Sequence, residues 1–333
     1  MSKPIATLSI DLDDLWSYMR TAGLPGWQEY PSYLDVVIPR IRRTLERNDV
    51  KLTIFVVGRD AAKPENRAAL AGLARDGHEI GNHSFDHDSW LSRRPADIIA
   101  SDIARADEAI AEAVGSRPVG FRGPSFGLST NLIEVLMERG YLYDASTFPT
   151  FLGPLARAYY NLKSRGTTAE RDDRKLLFGS LADGFRPLKP YAWEVADGGR
   201  LVEMPVTTFP VVRAPIHLTY LVFLAGISPA LAKAYVAAAL TACRIAGVAP
   251  SLLLHPLEFL DAEEAPALRF FPGMQVPVSV KLDLIDFVLK HLTKRFRVLP
   301  MRSHASLVGA HKSLSVRRPL FDSDGAILAP LTT

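Results

Sequence analysis

Five stretches of this chain hold carboxylates, imidazoles or a guanidinium where short apolar runs end. The first is ATLSIDLDD, with Asp11, Asp13 and Asp14. Three carboxylates directly behind an apolar strand repel one another unless a cation or solvent compensates. Residues two apart in extended backbone point the same way, so Asp11 and Asp13 can converge on one pocket while Asp14 faces away. The plainer reading is an acidic turn that caps a helix. The second stretch is GNHSFDHD, with His83 and His87. A four-residue spacing suits a metal pair on one helical face, although no Glu follows the first His and the zincin motif is absent. Two imidazoles and one carboxylate leave open positions on a zinc-like ion, which is a catalytic arrangement.

The other three stretches are FRGPSF, YDASTFP and SLLLHP. Arg122 could hold a carboxylate in place through its forked donors. Pro124 could fix the backbone so that a peptide N–H points into the site. Asp144 and Ser146 precede Pro149, where an Asx or Ser turn is the plain alternative. His255 follows four strand residues and precedes Pro256, a position that packing alone explains poorly; a satisfied core histidine is the alternative.

These stretches fall between elements that alternate in type. Residues 6–10, 52–57, 78–84, 119–121, 142–144, 201–206, 251–255 and 296–299 read as strands from their β-branched and apolar content. Residues 32–48, 65–75, 95–114, 130–139, 229–246 and 278–293 carry helical periodicity or helix stop signals. Repeated βα units point to a parallel sheet or barrel, whose carboxyl-end loops build sites. Residues 150–199 break the pattern and read as an insertion, the kind of segment that forms lids or substrate loops. Its aromatics Tyr159, Tyr160, Phe178, Phe185, Tyr191 and Trp193 either stack on sugar rings and apolar tails or form a small satellite core.

Composition narrows the classes of function. The chain has 333 residues, 48% of them hydrophobic, enough for one large domain or two small ones. Charged residues make up 23%, so the chain as a whole is not disordered. A net charge of +3 without a basic stripe argues against nucleic acid as a partner. One cysteine, Cys243, excludes an internal disulfide and a CxxC site. It sits in the apolar run AAALTACRIAG and reads as a small core residue. The start MSKPIATLSIDLDD is too short and too acidic for a secretory leader, and with the single cysteine it leads to an expected cytoplasmic location. The most lipid-like run, Ala214 to Ala232, is interrupted by Pro215, Gly226 and Pro229. It reads as two short helices that are buried or seated on a membrane surface without spanning it.

Taken in order, IDLDD, NHSFDH, FRGPSF, YDASTFP and SLLLHP resemble the five motifs of the polysaccharide deacetylases, carbohydrate esterase family four, built on the NodB-homology domain. Single pieces are loose; five in the family's order, each at a predicted strand end, are specific. The resemblance spans Asp11 to His255. It implies a distorted α/β fold, a (β/α) barrel of fewer than eight strands, here one unit over residues 1–300 with the insertion and a tail over 301–333. It also implies a metal-dependent hydrolase that removes N- or O-acyl groups, most often acetyl from amino sugars.

Carried over residue by residue, the resemblance assigns a divalent metal, zinc, to one N-terminal Asp with His83 and His87. A second N-terminal Asp becomes the general base, oriented by Arg122. The Ser125 N–H would help hold the oxyanion. His255 would be the general acid, steadied by Asp144. Many members carry two adjacent Asp residues followed by Gly, whereas this chain reads D-L-D-D before Leu15. Either Asp11 is base and Asp13 ligand, or Asp13 is base and Asp14 ligand; the two-residue spacing favours the first. The substrate implied is an N-acylated sugar or glycan intermediate, and the apolar run makes a lipid-linked one worth testing. A ring-amide hydrolase of the allantoinase-like branch and a silent carbohydrate-binding protein are the rivals.

Overall fold

In the computed structural model, strand β1 (Ile5–Leu12) has two faces of opposite character. Ala6, Leu8, Ile10 and Leu12 enter the main hydrophobic core, while Thr7, Ser9 and Asp11 are buried on the other side. Such a strand needs apolar cover on one face and polar partners on the other. Helices supply the cover. Leu34, Val37, Ile38, Ile41 and Leu45 line the buried stripe of α2 (Leu34–Arg47), which follows the short α1 (Leu15–Ala22). The description covers residues 3–152, 181–195, 198–311 and 313–319.

The chain then alternates β2 (Thr53–Val56), α3 (Gly58–Ala62), α4 (Pro64–Arg75), β3 (Glu79–Asn82), α5 (Ala96–Val114), β4 (Gly120–Phe121), α6 (Thr130–Glu138) and β5 (Tyr143–Asp144). Strands β6 (Tyr191–Glu194) and β7 (Arg200–Glu203) form an antiparallel pair. After them come α7 (Leu218–Ile227), α8 (Pro229–Ile245), β8 (Ser251–Leu254), α9 (Val278–Arg295), β9 (Arg297–Leu299), α10 (Met301–Gly309) and β10 (Val316–Arg317). Among the described residues the sheet has ten strands in the order β10-β6-β7-β5-β4-β3-β2-β1-β8, with β9 beside β1. Among the described strands, the β6–β7 pairing alone is antiparallel. The barrel-like run from β8 to β7 is open among the described residues. Across its gap Thr207 N–H donates to the Ser251 carbonyl (2.9 Å), and Ser251 N–H donates to Thr207 Oγ1 (2.7 Å). β9 falls on the strand expected over residues 296–299, whereas β6 and β10 extend the sheet beyond the strands read from sequence.

The first part of the tail expected over 301–333 is a helix that packs on the sheet. Met301, His304 and Ala305 of α10 are buried, and the first N–H groups of this helix reach the sheet. Met301 N–H donates to Thr53 Oγ1 (2.8 Å) and Arg302 N–H to Glu79 Oε2 (2.8 Å). A carboxylate at a helix N-terminus satisfies otherwise orphaned donors and complements the helix dipole. Residues 320–333 lie outside the described residues.

Within the insertion, Tyr191 and Trp193 settle the choice between sugar stacking and satellite core in favour of packing. Both are buried with Leu91, Phe121 and Leu132. Phe185 is exposed, whereas Tyr159, Tyr160 and Phe178 lie outside the described residues. The apolar run around residues 214–232 forms α7 and the start of α8, with Ser228 capping the second helix. Among the described residues, no helix is long and apolar enough to cross a membrane.

Cys243 is fully buried on α8, and burial pushes its thiol up to about 12. Reaction requires the thiolate. Iodoacetamide at pH 8 should therefore leave Cys243 unmodified in the folded protein and label it on unfolding in denaturant. Rapid native labelling, read by mass spectrometry, would show the helix packing to be wrong.

Candidate active site and metal centre

The end of β1 separates the three acidic residues by direction. Asp14 turns back to cap α1: its Oδ1 accepts from Leu15 N–H (2.8 Å) and Tyr33 N–H (3.0 Å). Burial and the nearby Asp60 raise its carboxyl to about 7. Asp13 points the other way and meets His83 and His87. Its Oδ1 lies 3.3 Å from His83 Nε2 and 3.2 Å from His87 Nε2. That oxygen is buried and has no hydrogen-bond partner. Burial alone would raise the Asp13 carboxyl; the imidazoles, His87 foremost, outweigh it and hold it well below the usual range.

The donor set fits a divalent ion. His83 Nδ1 lies 2.6 Å from the Arg122 carbonyl, which can only accept. Nδ1 therefore carries the proton and, in the neutral ring, Nε2 presents a lone pair toward Asp13. A lone pair facing a carboxylate oxygen needs a proton or a cation between them. One ligand atom from each of Asp13, His83 and His87 lies within 4.8 Å of the others.

Local backbone places the imidazoles. His83 leaves β3 bonded through its N–H to the Val56 carbonyl (3.0 Å). Ser84 and His87 then adopt φ of 65° and 47°, left-handed positions that cost non-glycine residues on the order of 1 kcal/mol each. Side chains from neighbouring elements hold that shape. Asn82 Oδ1 accepts from Ser84 N–H (2.7 Å), and Asp102 of α5 accepts from Phe85 N–H (2.8 Å) and Asp86 N–H (3.3 Å). Burial raises Asp102 to about 6 in spite of those donors.

Asp11 is held from the side. Arg122, fully buried, donates from Nη1 to Asp11 Oδ1 (2.6 Å) and Ser9 Oγ (2.9 Å), and from Nε to the Ala145 carbonyl (2.9 Å). The other Asp11 oxygen lies 3.9 Å from His255 Nε2. His255 is oriented through its opposite nitrogen. Thr219 Oγ1 donates to Glu258 Oε1 (2.7 Å), so it accepts from His255 Nδ1 (3.3 Å). Glu258 also accepts from the His255 main-chain N–H.

This relay replaces the expected partner of His255. Asp144 does not reach that imidazole: Ser146 Oγ (2.6 Å) and Ser146 N–H (3.1 Å) donate to its carboxylate. Asp144 also bonds to Glu203, its register partner on β7. Burial and the charge of Asp144 raise Glu203 well above the usual range. Ser125 sits in a tight turn with φ of 53°, followed by Phe126 at 60°; its hydroxyl bonds to Ser89 Oγ (3.0 Å). Successive main-chain N–H groups in such turns can form a concavity for an anion.

Thr219, Glu258 and a second buried imidazole, His217, were not among the residues singled out by sequence. Glu258 did leave a signal: a Glu three residues after His255 and two after Pro256 has the spacing of a capping box. His217 left none, since an isolated His in an apolar run reads as core.

The geometry separates the acids by experiment. Asp13→Asn should strip a bound divalent ion, whereas Asp11→Asn and Asp14→Asn should keep it, as read by elemental analysis. Loss of metal in Asp14→Asn with retention in Asp13→Asn would reverse the assignment. Asp102→Ala should weaken metal affinity about 10–100-fold by loosening the loop that carries the imidazoles. Unchanged affinity would remove Asp102 from that support.

The sequence model of the polysaccharide deacetylase family matches residues 27–143. That range holds His83, His87, Arg122 and Ser125 and omits Asp11, Asp13, Asp144 and His255. The uncharacterised protein YlxY of Bacillus subtilis is 32% identical over 108 residues, 32% of this chain and 31% of that protein. A peptidoglycan-N-acetylglucosamine deacetylase of Bacillus cereus is 28% identical over 104 residues, 31% of this chain and 37% of that protein. The chain thus matches about a third of the length of these curated relatives. In fold it is similar to the crystal structure of a putative polysaccharide deacetylase from Mycobacterium smegmatis, with a TM-score of 0.59, 22% identity, and coverage of 95% of this chain and 98% of that one. Over residues 27–143, about a third of its length, this chain is similar in sequence to the polysaccharide deacetylase family.

Proposed function

We propose that this chain is a metal-dependent hydrolase that removes an N-acyl group, acetyl first of all, from an amino sugar of a glycan. One observation carries the reading. Asp11 is tied to Arg122 by one oxygen and faces His255 Nε2 at 3.9 Å with the other, beside the Asp13, His83 and His87 cluster. A base and an acid thus flank a site able to hold a Lewis acid. Relatives whose names specify N-acetylglucosamine in peptidoglycan support the choice of amino sugar.

A divalent ion held by Asp13, His83 and His87 would polarise water and the acyl carbonyl. A mixed oxygen and imidazole donor set suits zinc. Asp11 takes the proton of the attacking water on the oxygen that Arg122 leaves free. The Ser125 N–H helps hold the charge that develops on the acyl oxygen. His255 Nε2 delivers a proton to the leaving nitrogen, which departs poorly as an amide anion. Thr219 and Glu258 keep the opposite ring nitrogen engaged, so Nε2 stays aimed at the cleft. Retention of Asp11 favours this chemistry over a ring-amide hydrolase that does without an acidic base.

The finer substrate is a glycan intermediate, and a lipid-linked one is part of the proposal. Phe223 and Ile227 on α7 and Leu231 on α8 are exposed, which supports contact with an apolar moiety or a membrane surface. A cytoplasmic site of action rests on the cysteine usage alone.

Zinc-loaded protein should release acetate from an N-acetylglucosamine oligomer, and chelation should abolish release until metal is restored. His255→Gln should lower kcat about 10²–10⁴-fold with metal content unchanged. No acyl release from any N-acylated sugar, or full activity in His255→Gln, would overturn the reading.

A further inference from the structure

His217 stands beside the acid and has no part in the chemistry proposed above. Its ring lies 5.9 Å from that of His255, 5.3 Å from Phe148 and 4.6 Å from Tyr220, centroid to centroid. It is the residue directly before α7, and its carbonyl accepts from Tyr220 N–H (3.2 Å) and Leu221 N–H (3.3 Å). The ring is therefore carried on a fixed helix start rather than on a free loop.

Among the described residues, neither ring nitrogen has a hydrogen-bond partner. Nδ1 is sealed from solvent and has no partner; Nε2 is not among the sealed atoms and also makes no bond. Burial, with His255 and Arg122 nearby, holds the imidazole well below its usual range, so it is neutral. A neutral imidazole carries one proton. A buried N–H without an acceptor is rarer than a buried acceptor without a donor, so the proton belongs on Nε2. That arrangement leaves the lone pair on the sealed nitrogen and puts the donor on the nitrogen that is not sealed, in a ring whose centroid lies 5.9 Å from that of His255.

The wall around this donor has the character of a sugar contact. Phe126, beside Ser125, stacks on Phe148 with centroids 5.1 Å apart and planes 29° from parallel. Phe148 meets His217, and His217 meets Tyr220. Phe126, Phe148 and Tyr220 are all half-buried, so part of each ring is open. Apolar ring surface with one neutral donor matches a sugar, which offers C–H faces and oxygen acceptors.

We propose that His217 Nε2–H donates a hydrogen bond to an oxygen of the sugar that carries the scissile amide, positioning that sugar against His255. This rests on the deacetylase reading, deepens it, and makes His217 a substrate-positioning residue rather than an acid or base. The bond favours the bound sugar before and during reaction alike, so its loss acts on KM more than on kcat.

The test compares wild type, His217→Phe and His217→Gln, each zinc-loaded, with an N-acetylglucosamine tetramer. Phe keeps the ring packing without the donor; Gln returns an N–H near the Nε2 position. Binding is measured by calorimetry and acetate release by steady-state kinetics. His217→Phe should weaken binding and raise KM roughly five- to twentyfold, the scale of one lost hydrogen bond with its partner left unpaired. Its kcat, pH profile, metal content and melting temperature should stay near wild type. His217→Gln should recover most of the loss. Unchanged binding and KM in His217→Phe would overturn the inference, as would a loss in His217→Gln as large as in Phe, or a fall in kcat with a shifted pH limb. Wild type that binds the tetramer without cleaving it, with binding weakened in His217→Phe, would sink the deacetylase reading and keep the sugar contact. Wild type that neither binds nor cleaves would sink both.

Discussion

A guanidinium shut away from water needs partners for its donors, and this site supplies them at Nε and Nη1 of Arg122 while Nη2 has none among the described residues. Arg122 is fully buried over the Phe55 ring, 4.4 Å from its centroid. It draws Ser9 and Asp11 from β1 and the Ala145 carbonyl from the end of β5. Its own carbonyl fixes the proton of His83. One residue thereby joins Asp11, the His83 imidazole and the loop behind β5. Buried ion pairs bring little net stability, yet removing one partner alone costs about 3–5 kcal/mol because the other charge is left unpaired. The pair is better understood as fixing geometry: it leaves Asp11 with one oxygen committed and one available.

The rest of the inner face follows the same economy. Thr7, Ser9 and Asp11 alternate with the apolar residues of β1, so the strand offers polar groups inward wherever it offers methyl groups to the helices. At the opposite end of the sheet Glu79 accepts from Thr53 Oγ1 (2.7 Å) and Tyr143 OH (3.0 Å) and receives the first turn of α10. Lys281 of α9 performs a similar service for the loop that carries His255, donating to the carbonyls of Leu257 (2.8 Å) and Leu260 (2.6 Å). Each buried charge in these places is matched by hydrogen bonds rather than left to the low dielectric.

Much of the fold was legible because its signals are local. The alternation of strand-like and helical runs, the glycines that end α5 and α6, and the two short helices of the apolar run all emerge at the expected places. The direction of Asp11, Asp13 and Asp14 was legible too, since extended backbone makes the choice. Partner identity was not. Motif order brings Asp144 and His255 into one list, but only tertiary register pairs Asp144 with Glu203 across β5 and β7 and leaves His255 to Thr219 and Glu258. For Tyr191 and Trp193 the sequence left sugar stacking and a satellite core both open, and they pack with Leu132 of α6, because composition cannot tell which side of a sheet an aromatic faces. The helix Met301–Gly309 was missed since three buried side chains in nine residues are too few to declare a period.

The account stands or falls on which carboxylate joins the two imidazoles. Anomalous diffraction from zinc-loaded crystals, collected on both sides of the metal absorption edge, locates the ion without reference to activity. The expected result is a single strong peak about 2.0–2.2 Å from the Asp13 carboxylate and from Nε2 of both His83 and His87. A peak on Asp14 and Asp60 instead, or none at the paired imidazoles at full zinc occupancy elsewhere, would contradict the account.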